Sequence, residues 1–359
     1  MKNILYVVTS AETAGGVMSI ISKKINYLVK NGYNVTLLSM TKCDKPFYNI
    51  SDNVPILCAS SNEDYKVSIK DFLRAVRIVR DKKFDIVISV DAQYVTWVLP
   101  FIAKGNNILE IHQSYDGLVD FYNRGRFATM NVIFHKIMQR VAFSHYKKVI
   151  VLTEEDKRKW KLKNVLTIPN FHCINVSCLP KQNVTSKKIV CVGRFHFQKG
   201  FDLLIQVWKI VALNFPDWEL HYYGANLTPE VRSEMNRLQA PDSFVLKGYE
   251  RNLSTIFSDA YLNIVPSRCE SFSLTTIESM CYGVPTISFD TTGPKSIIED
   301  GVDGFLIKQF DIEKLAETLN MLIADKKLRE VLSANCFRKS ILYDESSVMK
   351  QWVSLFNEM

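Results

Sequence analysis

Residues 267–303 read SRCESFSLTTIESMCYGVPTISFDTTGPKSIIEDGVD, with two carboxylates, Glu270 and Glu278, eight positions apart. Ser273 has the side chain of an N-cap. Leu274 to Tyr282 has the length of a two- to three-turn helix, which Gly283 closes with Pro285 just beyond. This spacing predicts Glu270 in the loop before a helix and Glu278 one turn inside it. Between them would fall the helix N-terminus, where free N–H groups on Leu274, Thr275 and Thr276 favour an anion such as a phosphate. One acid can then hold hydroxyls on one side of the phosphate and the other acid hydroxyls on the opposite side. A nucleotide diphosphate sugar has this layout of ribose, phosphates and sugar. Taken alone, Glu278 reads as a solvated helix residue and Glu270 as a loop charge. Context favours the site: the apolar run Tyr261 to Val265 leads into the loop, and the apolar strand Pro285 to Phe289 follows the helix. The loop then sits at the carboxyl end of a strand, where open α/β sheets bind ligands.

Outward from this stretch, short apolar runs alternate with helical periodicity along the whole chain, the pattern of doubly wound α/β domains. A first strand is expected at Asn3 to Val8. The turn at Gly15 to Val17 opens a helix whose Val17, Ile20, Ile21, Leu28 and Val29 share a face. Further strands are expected at Asn34 to Met40, Phe84 to Val90, Asn107 to Ile111 and Lys148 to Leu152, with helices at Val67 to Arg80 and Phe127 to Phe143. An irregular, polar segment over residues 169–186 marks a boundary, and Lys188 to Val192 restarts the rhythm. A chain of 359 residues can bury two cores, so domains are expected over residues 1–169 and 170–341.

The loop GRFHFQKGFD, residues 193–202, follows the strand KKIVCV. Arg194 offers a planar fork to phosphate oxygens and Lys199 a point charge. The alternative is a pair of solvated surface cations. With the helix N-terminus after Glu270, the pair would balance a diphosphate without a metal. Eight scattered cysteines and six dispersed histidines form no metal-binding spacing, so neither metal nor cofactor is expected. The net charge of +8 suits an anionic partner. No contiguous basic stripe interleaved with aromatics surrounds the site, which speaks against nucleic acid. No segment approaches the roughly 18 to 20 apolar residues of a membrane span. MKNILYVVTS reads as a strand rather than a secretory signal, which places the chain in the cytoplasm.

From Glu270 through the Gly283-x-Pro285 turn and on through GPKSIIEDGVDGFLI, the chain resembles family 4 of the retaining, nucleotide-sugar-dependent glycosyltransferases. The family signature is two glutamates separated by seven residues, then a small-residue helix and a Gly-x-Pro turn. This chain has Ser271 where the family usually has glycine. The resemblance covers nearly the full length and is strongest from Lys188 to Ile307. It implies a GT-B architecture: two Rossmann-like domains facing each other across a cleft, an acceptor domain first and a nucleotide-sugar domain second. The last helix, within residues 342–359, would cross back to the first domain. It also implies that Glu270 orients the transferred sugar, Glu278 holds the ribose, and Arg194 and Lys199 hold the diphosphate. Lys247 and Gly248 would frame the nucleobase through backbone groups. Gly15 and Gly16 would meet donor and acceptor, although GxGxxG is absent there. His112, in EIHQSYD after a strand, would hydrogen-bond the transferred sugar, where a lone histidine otherwise reads as structural. The implied reaction moves a hexose from a UDP-sugar to a lipid-linked saccharide of a bacterial surface polysaccharide. A sugar-nucleotide epimerase or a phosphorylase on the same scaffold is the rival enzyme.

The run from Arg124 to Lys163 holds eleven basic residues against three acidic ones, with Phe127, Ile133, Phe134, Ile137, Met138 and Trp160 as apolar surface. This mixture suits adsorption to an anionic membrane surface, which would put the protein on the inner face of the cell membrane. The competing reading is helices with apolar faces in the core and solvated basic faces.

Overall fold

The computed structural model describes all residues except 1, 14, 61–67, 82, 91–93, 104, 118–127, 180–185 and 225–227. Arg124, Arg126, Phe127 and the middle of the 169–186 segment lie outside the described residues. The chain divides into two compact units, one of Met1–Asn170 with Val348–Met359 and one of Phe171–Ser347.

Apolar runs such as NILYVV, IVISV, KIVCV and LNIV are buried almost throughout, as central strands of a parallel sheet covered on both faces must be. In the first unit the described strands are β1 (Asn3–Val8), β2 (Asn34–Ser39), β3 (Ile56–Cys58), β4 (Ile86–Val90), β5 (Asn106–Glu110), β6 (Lys148–Val151) and β7 (Val165–Thr167). They form a seven-stranded sheet in the order β3-β2-β1-β4-β5-β6-β7, parallel at every pairing. In the second unit β8 (Lys188–Val192), β9 (Glu219–Tyr223), β10 (Phe244–Gly248), β11 (Leu262–Val265), β12 (Thr286–Phe289) and β13 (Gly304–Ile307) form a six-stranded sheet. Its order is β10-β9-β8-β11-β12-β13, also parallel. Both units are therefore Rossmann-like. The strand order reverses direction beside β1 in one sheet and beside β8 in the other, and ligands of such sheets bind outside the carboxyl ends of the strands at that reversal.

Around the second sheet the helix Phe201–Asn214 turns its apolar side inward. Trp208 is fully buried and donates its indole N–H to Ser243 Oγ at 3.0 Å. The helix Leu274–Cys281 ends one residue sooner than the sequence predicts. It is fastened to the sheet by a buried polar chain: Ser279 Oγ lies 2.9 Å from Thr286 Oγ1, which accepts from Asn263 Nδ2 at 3.0 Å. The C-terminal helix, Glu345–Glu358, belongs to the first unit from Val348 onward and sends Trp352 over Lys24, with Nζ 3.5 Å from the ring centroid. The carbonyl of Met359 accepts from Asn106 Nδ2 at 2.6 Å.

Candidate active site

The carboxyl ends of β8 and β11, the strands flanking the reversal in the second sheet, carry the two loops that matter. Glu270 lies in the loop after β11 and Lys199 in the loop after β8. Lys199 Nζ donates to Glu270 Oε2 at 2.5 Å. Ser267 Oγ donates to the same oxygen at 3.2 Å. The pair remains accessible, with side chains 28% and 14% exposed, so a ligand can reach both groups.

Three constraints fix the course of these loops. Gly200 has φ +66°, and a Cβ there would lie 2.0 Å from the Pro266 carbonyl oxygen, so only glycine lets the β8 loop pass this close to β11. Gly293 donates its N–H to the Glu270 carbonyl at 2.8 Å, and a Cβ there would press on the Phe272 backbone at 2.5 Å. The third is Arg268, which sequence reasoning did not single out. Its guanidinium binds Asp202 in fork geometry, Nη1 to Oδ1 at 2.8 Å and Nη2 to Oδ2 at 2.6 Å. It also donates to the Phe197 carbonyl at 2.8 Å and stacks 3.9 Å from the centroid of that ring. Arg268 and Asp202 are 66 positions apart, so no local pattern announces the pair. Its hydrogen bonds hold the Asp202 carboxyl below the usual carboxylate range.

Arg194 lies on the same loop as Lys199, exposed to solvent. Its carbonyl accepts from the hydroxyl of Tyr222 on β9 at 3.2 Å. Burial pushes that phenol well up, which keeps it a donor. Glu278 sits half-buried in the helix Leu274–Cys281, beyond the loop of Glu270.

The helix N-terminus differs from expectation. Ser273 occupies the cap position with φ +71° and makes no side-chain capping bond. An N-cap hydroxyl reaches the next amides from extended backbone; from the left-handed region it instead meets Thr276 Oγ1 at 2.8 Å. The Thr276 N–H is bound to the Ser273 carbonyl at 3.1 Å. Thr276 therefore drops out of the free donors, leaving Leu274 and Thr275, whose positions lack an intrahelical acceptor.

Lys247 is exposed at the end of β10, where the pairing register slips between Leu246 and Gly248. The Gly248 carbonyl accepts from the Gly224 N–H at 2.7 Å. These residues lie on a different strand end from Lys199 and Glu270.

The remaining predicted residues belong to the first unit. Gly16 opens the helix Gly16–Lys30, and the Gly15 N–H donates to the Tyr48 hydroxyl at 3.2 Å. His112 follows β5 and is buried, its Nε2 2.8 Å from Glu110 Oε1. Trp160 is a correction: it is 7% exposed and packs edge-on to Tyr115, so it supplies no surface. Lys157 pairs with Glu154, and Lys159 with Asp116 and Glu155.

Two family models cover both units. The model described as Glycosyltransferase Family 4 matches residues 14–171, and Glycosyl transferases group 1 matches residues 180–339. An uncharacterized glycosyltransferase of Haemophilus influenzae is 27% identical over 98% of this chain and 99% of its own length. The amylovoran biosynthesis glycosyltransferase AmsD of Erwinia amylovora is 26% identical over 99% of this chain and all of its own. Among solved structures, S. aureus TarM in complex with fondaparinux, alpha-GlcNAc-glycerol and UDP covers 99% of this chain and 100% of its own, with a TM-score of 0.77. At 16% identity that likeness concerns the fold, which is GT-B. With its first unit matched by one model and its second by the other, the chain belongs to the glycosyltransferases of these families.

Proposed function

We propose that the chain is a retaining glycosyltransferase that moves a hexose from UDP to a lipid-linked saccharide in bacterial surface-polysaccharide synthesis. The observation that carries this reading is the Lys199–Glu270 contact, which sets a cation beside a carboxylate at the strand reversal. TarM with UDP and the amylovoran enzyme AmsD support the donor and the pathway class.

Cleavage of the bond between the sugar C1 and the β-phosphate oxygen puts negative charge on the departing diphosphate. Arg194, Lys199 and the Leu274 and Thr275 amides meet that charge as it grows, which lowers the transition state more than the ground state. Glu270 orients the transferred sugar, Glu278 binds the ribose hydroxyls, Lys247 borders the base and His112 touches the sugar. The acceptor hydroxyl bonds to C1 on the face that UDP leaves, and its proton passes to the leaving phosphate oxygen. No carboxylate nucleophile is needed.

The lipid surface is met by a stripe on the helix Ala128–Ser144. Ile133, Ile137 and Val141 recur every fourth residue and are each at least half exposed. A groove of about 550 Å³ beside Ile137 and Val141 is lined by Arg140, Lys161 and Lys163 without an acidic group. This pairs apolar and basic surface as an anionic bilayer requires.

The test supplies purified protein with UDP-hexoses and a bacterial lipid extract and follows UDP release and the anomeric configuration of the product by NMR. Acceptor-dependent release with retained configuration is expected. Consumption of the sugar nucleotide without acceptor would instead identify an epimerase, and phosphate-dependent release of sugar phosphate a phosphorylase.

A further inference from the structure

Glu110 ends β5 with its side chain 1% exposed. Lys24, from the helix Gly16–Lys30 and 2% exposed, donates to Glu110 Oε1. His112 Nε2 meets the same oxygen at 2.8 Å. Two further elements close over the group: Trp352 of the C-terminal helix covers the Lys24 ammonium, and Tyr6 of β1 stands near enough for the Glu110 charge to raise its phenol beyond what burial does. Burial alone would raise the Glu110 carboxyl, but Lys24 and His112 outweigh it and keep the carboxylate charged.

A buried ion pair is a poor source of stability, since apolar groups of similar volume often serve as well. Its geometry has another consequence. A carboxylate only accepts hydrogen bonds, so the nitrogen facing it must carry the proton. In a neutral imidazole the other nitrogen then bears the lone pair. Lys24, as a second donor to Oε1, holds the carboxylate in place for His112.

We propose that Glu110, anchored by Lys24, is a positioning residue that fixes His112 as its Nε2–H tautomer and so presents Nδ1 as an acceptor to a hydroxyl of the transferred sugar. This rests on the reading that His112 touches that sugar. It adds a direction to the contact: the sugar hydroxyl donates and the imidazole accepts.

The first test needs no variant of Glu110. In full-length protein with ¹⁵N-labelled histidine, a long-range ¹H–¹⁵N spectrum of the neutral imidazole should show His112, assigned by its loss in His112→Gln, with a protonated Nε2 and an unprotonated Nδ1. The opposite tautomer, or averaged shifts for both nitrogens, would overturn the proposal. The second test replaces the buried charges together, Lys24→Met with Glu110→Leu. Thermal stability and UDP affinity should stay near wild type, while turnover of the UDP-hexose should fall roughly 10- to 100-fold, the usual effect of losing a partner that orients a histidine. Wild-type turnover in a folded double variant would also overturn it. If the double variant does not fold, the wild-type spectrum still decides. Unchanged turnover in His112→Ala would be a separate failure, that of the sugar contact itself, whatever tautomer the spectrum shows.

Discussion

Lys199 Nζ and Glu270 Oε2 are 2.5 Å apart, though 71 residues separate them in sequence. Each neutralises the other in the structure. Under the proposed function, a diphosphate held by Lys199 would draw it partly away from Glu270 and free the carboxylate for the sugar.

Removing the cation should cost the transition state most. Lys199→Ala is expected to lower kcat/KM by two to three orders of magnitude, equivalent to about 3 to 4 kcal/mol. Steady-state kinetics with a UDP-hexose checks this, and near wild-type transfer would remove Lys199 from the diphosphate site.

The two glutamates should separate by role. Glu278→Ala is expected to weaken UDP binding, because ribose contacts are lost. Glu270→Ala should leave UDP affinity unchanged or raised, since it frees Lys199, and should damage transfer. Calorimetric titration of both variants compares them, and equal losses of affinity would contradict the layout.

Asp202 and Arg268 tie the two loops together, and Asp202→Asn should loosen them. The folded carboxyl lies below its ordinary value, near 3.9 when unfolded, because Arg268 donates to it. Its contribution to stability is therefore present above about pH 4 and fades as pH falls through the lower folded value. Urea midpoints from pH 7 down to pH 3 should show wild type ahead of Asp202→Asn at neutral pH and the gap closing in acid. A gap that does not depend on pH would deny the ion pair its role.

The basic groove should bind anionic lipid through Arg140, Lys161 and Lys163, at roughly 1 kcal/mol for each residue near the surface. Wild type should sediment with anionic liposomes at low salt and much less at 1 M, where screening shortens to about 3 Å. A variant with those three residues neutralised should stay in solution at both. Failure of wild type to sediment at low salt, or equal binding by the variant, would leave the acceptor to be met elsewhere.

The central strands and long helices were legible because each is written in one local period: Lys188–Val192 is found where the sequence predicts it, and Ala128–Ser144 is offset by one residue from the helix predicted over residues 127–143. The three-residue strands Ile56–Cys58 and Val165–Thr167 were not, since neither is long enough to show alternation. At the site, Glu270 and Lys199 could be picked out because each sits in a loop directly after an apolar strand. The Arg268–Asp202 fork was hidden, because only the neighbouring positions of β8 and β11 in the sheet bring those side chains together. Ser273 misled for the opposite reason: its residue type fits a cap, but its left-handed backbone, which residue type does not reveal, turns the hydroxyl toward Thr276. Trp160 reads as surface from the basic residues around it, but packing buries the indole and pairs Lys159 with Asp116, while Arg158 and Lys161 stay exposed.

The most direct test of the central claim is calorimetric titration of UDP into wild type, Arg194→Ala and Lys199→Ala. Wild type should bind one UDP per chain, and each substitution should weaken binding about 10- to 100-fold, the equivalent of one charge-assisted hydrogen bond of roughly 1.5 to 3 kcal/mol. Absence of UDP binding by folded wild type, or equal affinity in all three proteins, would contradict a diphosphate site built on these cations.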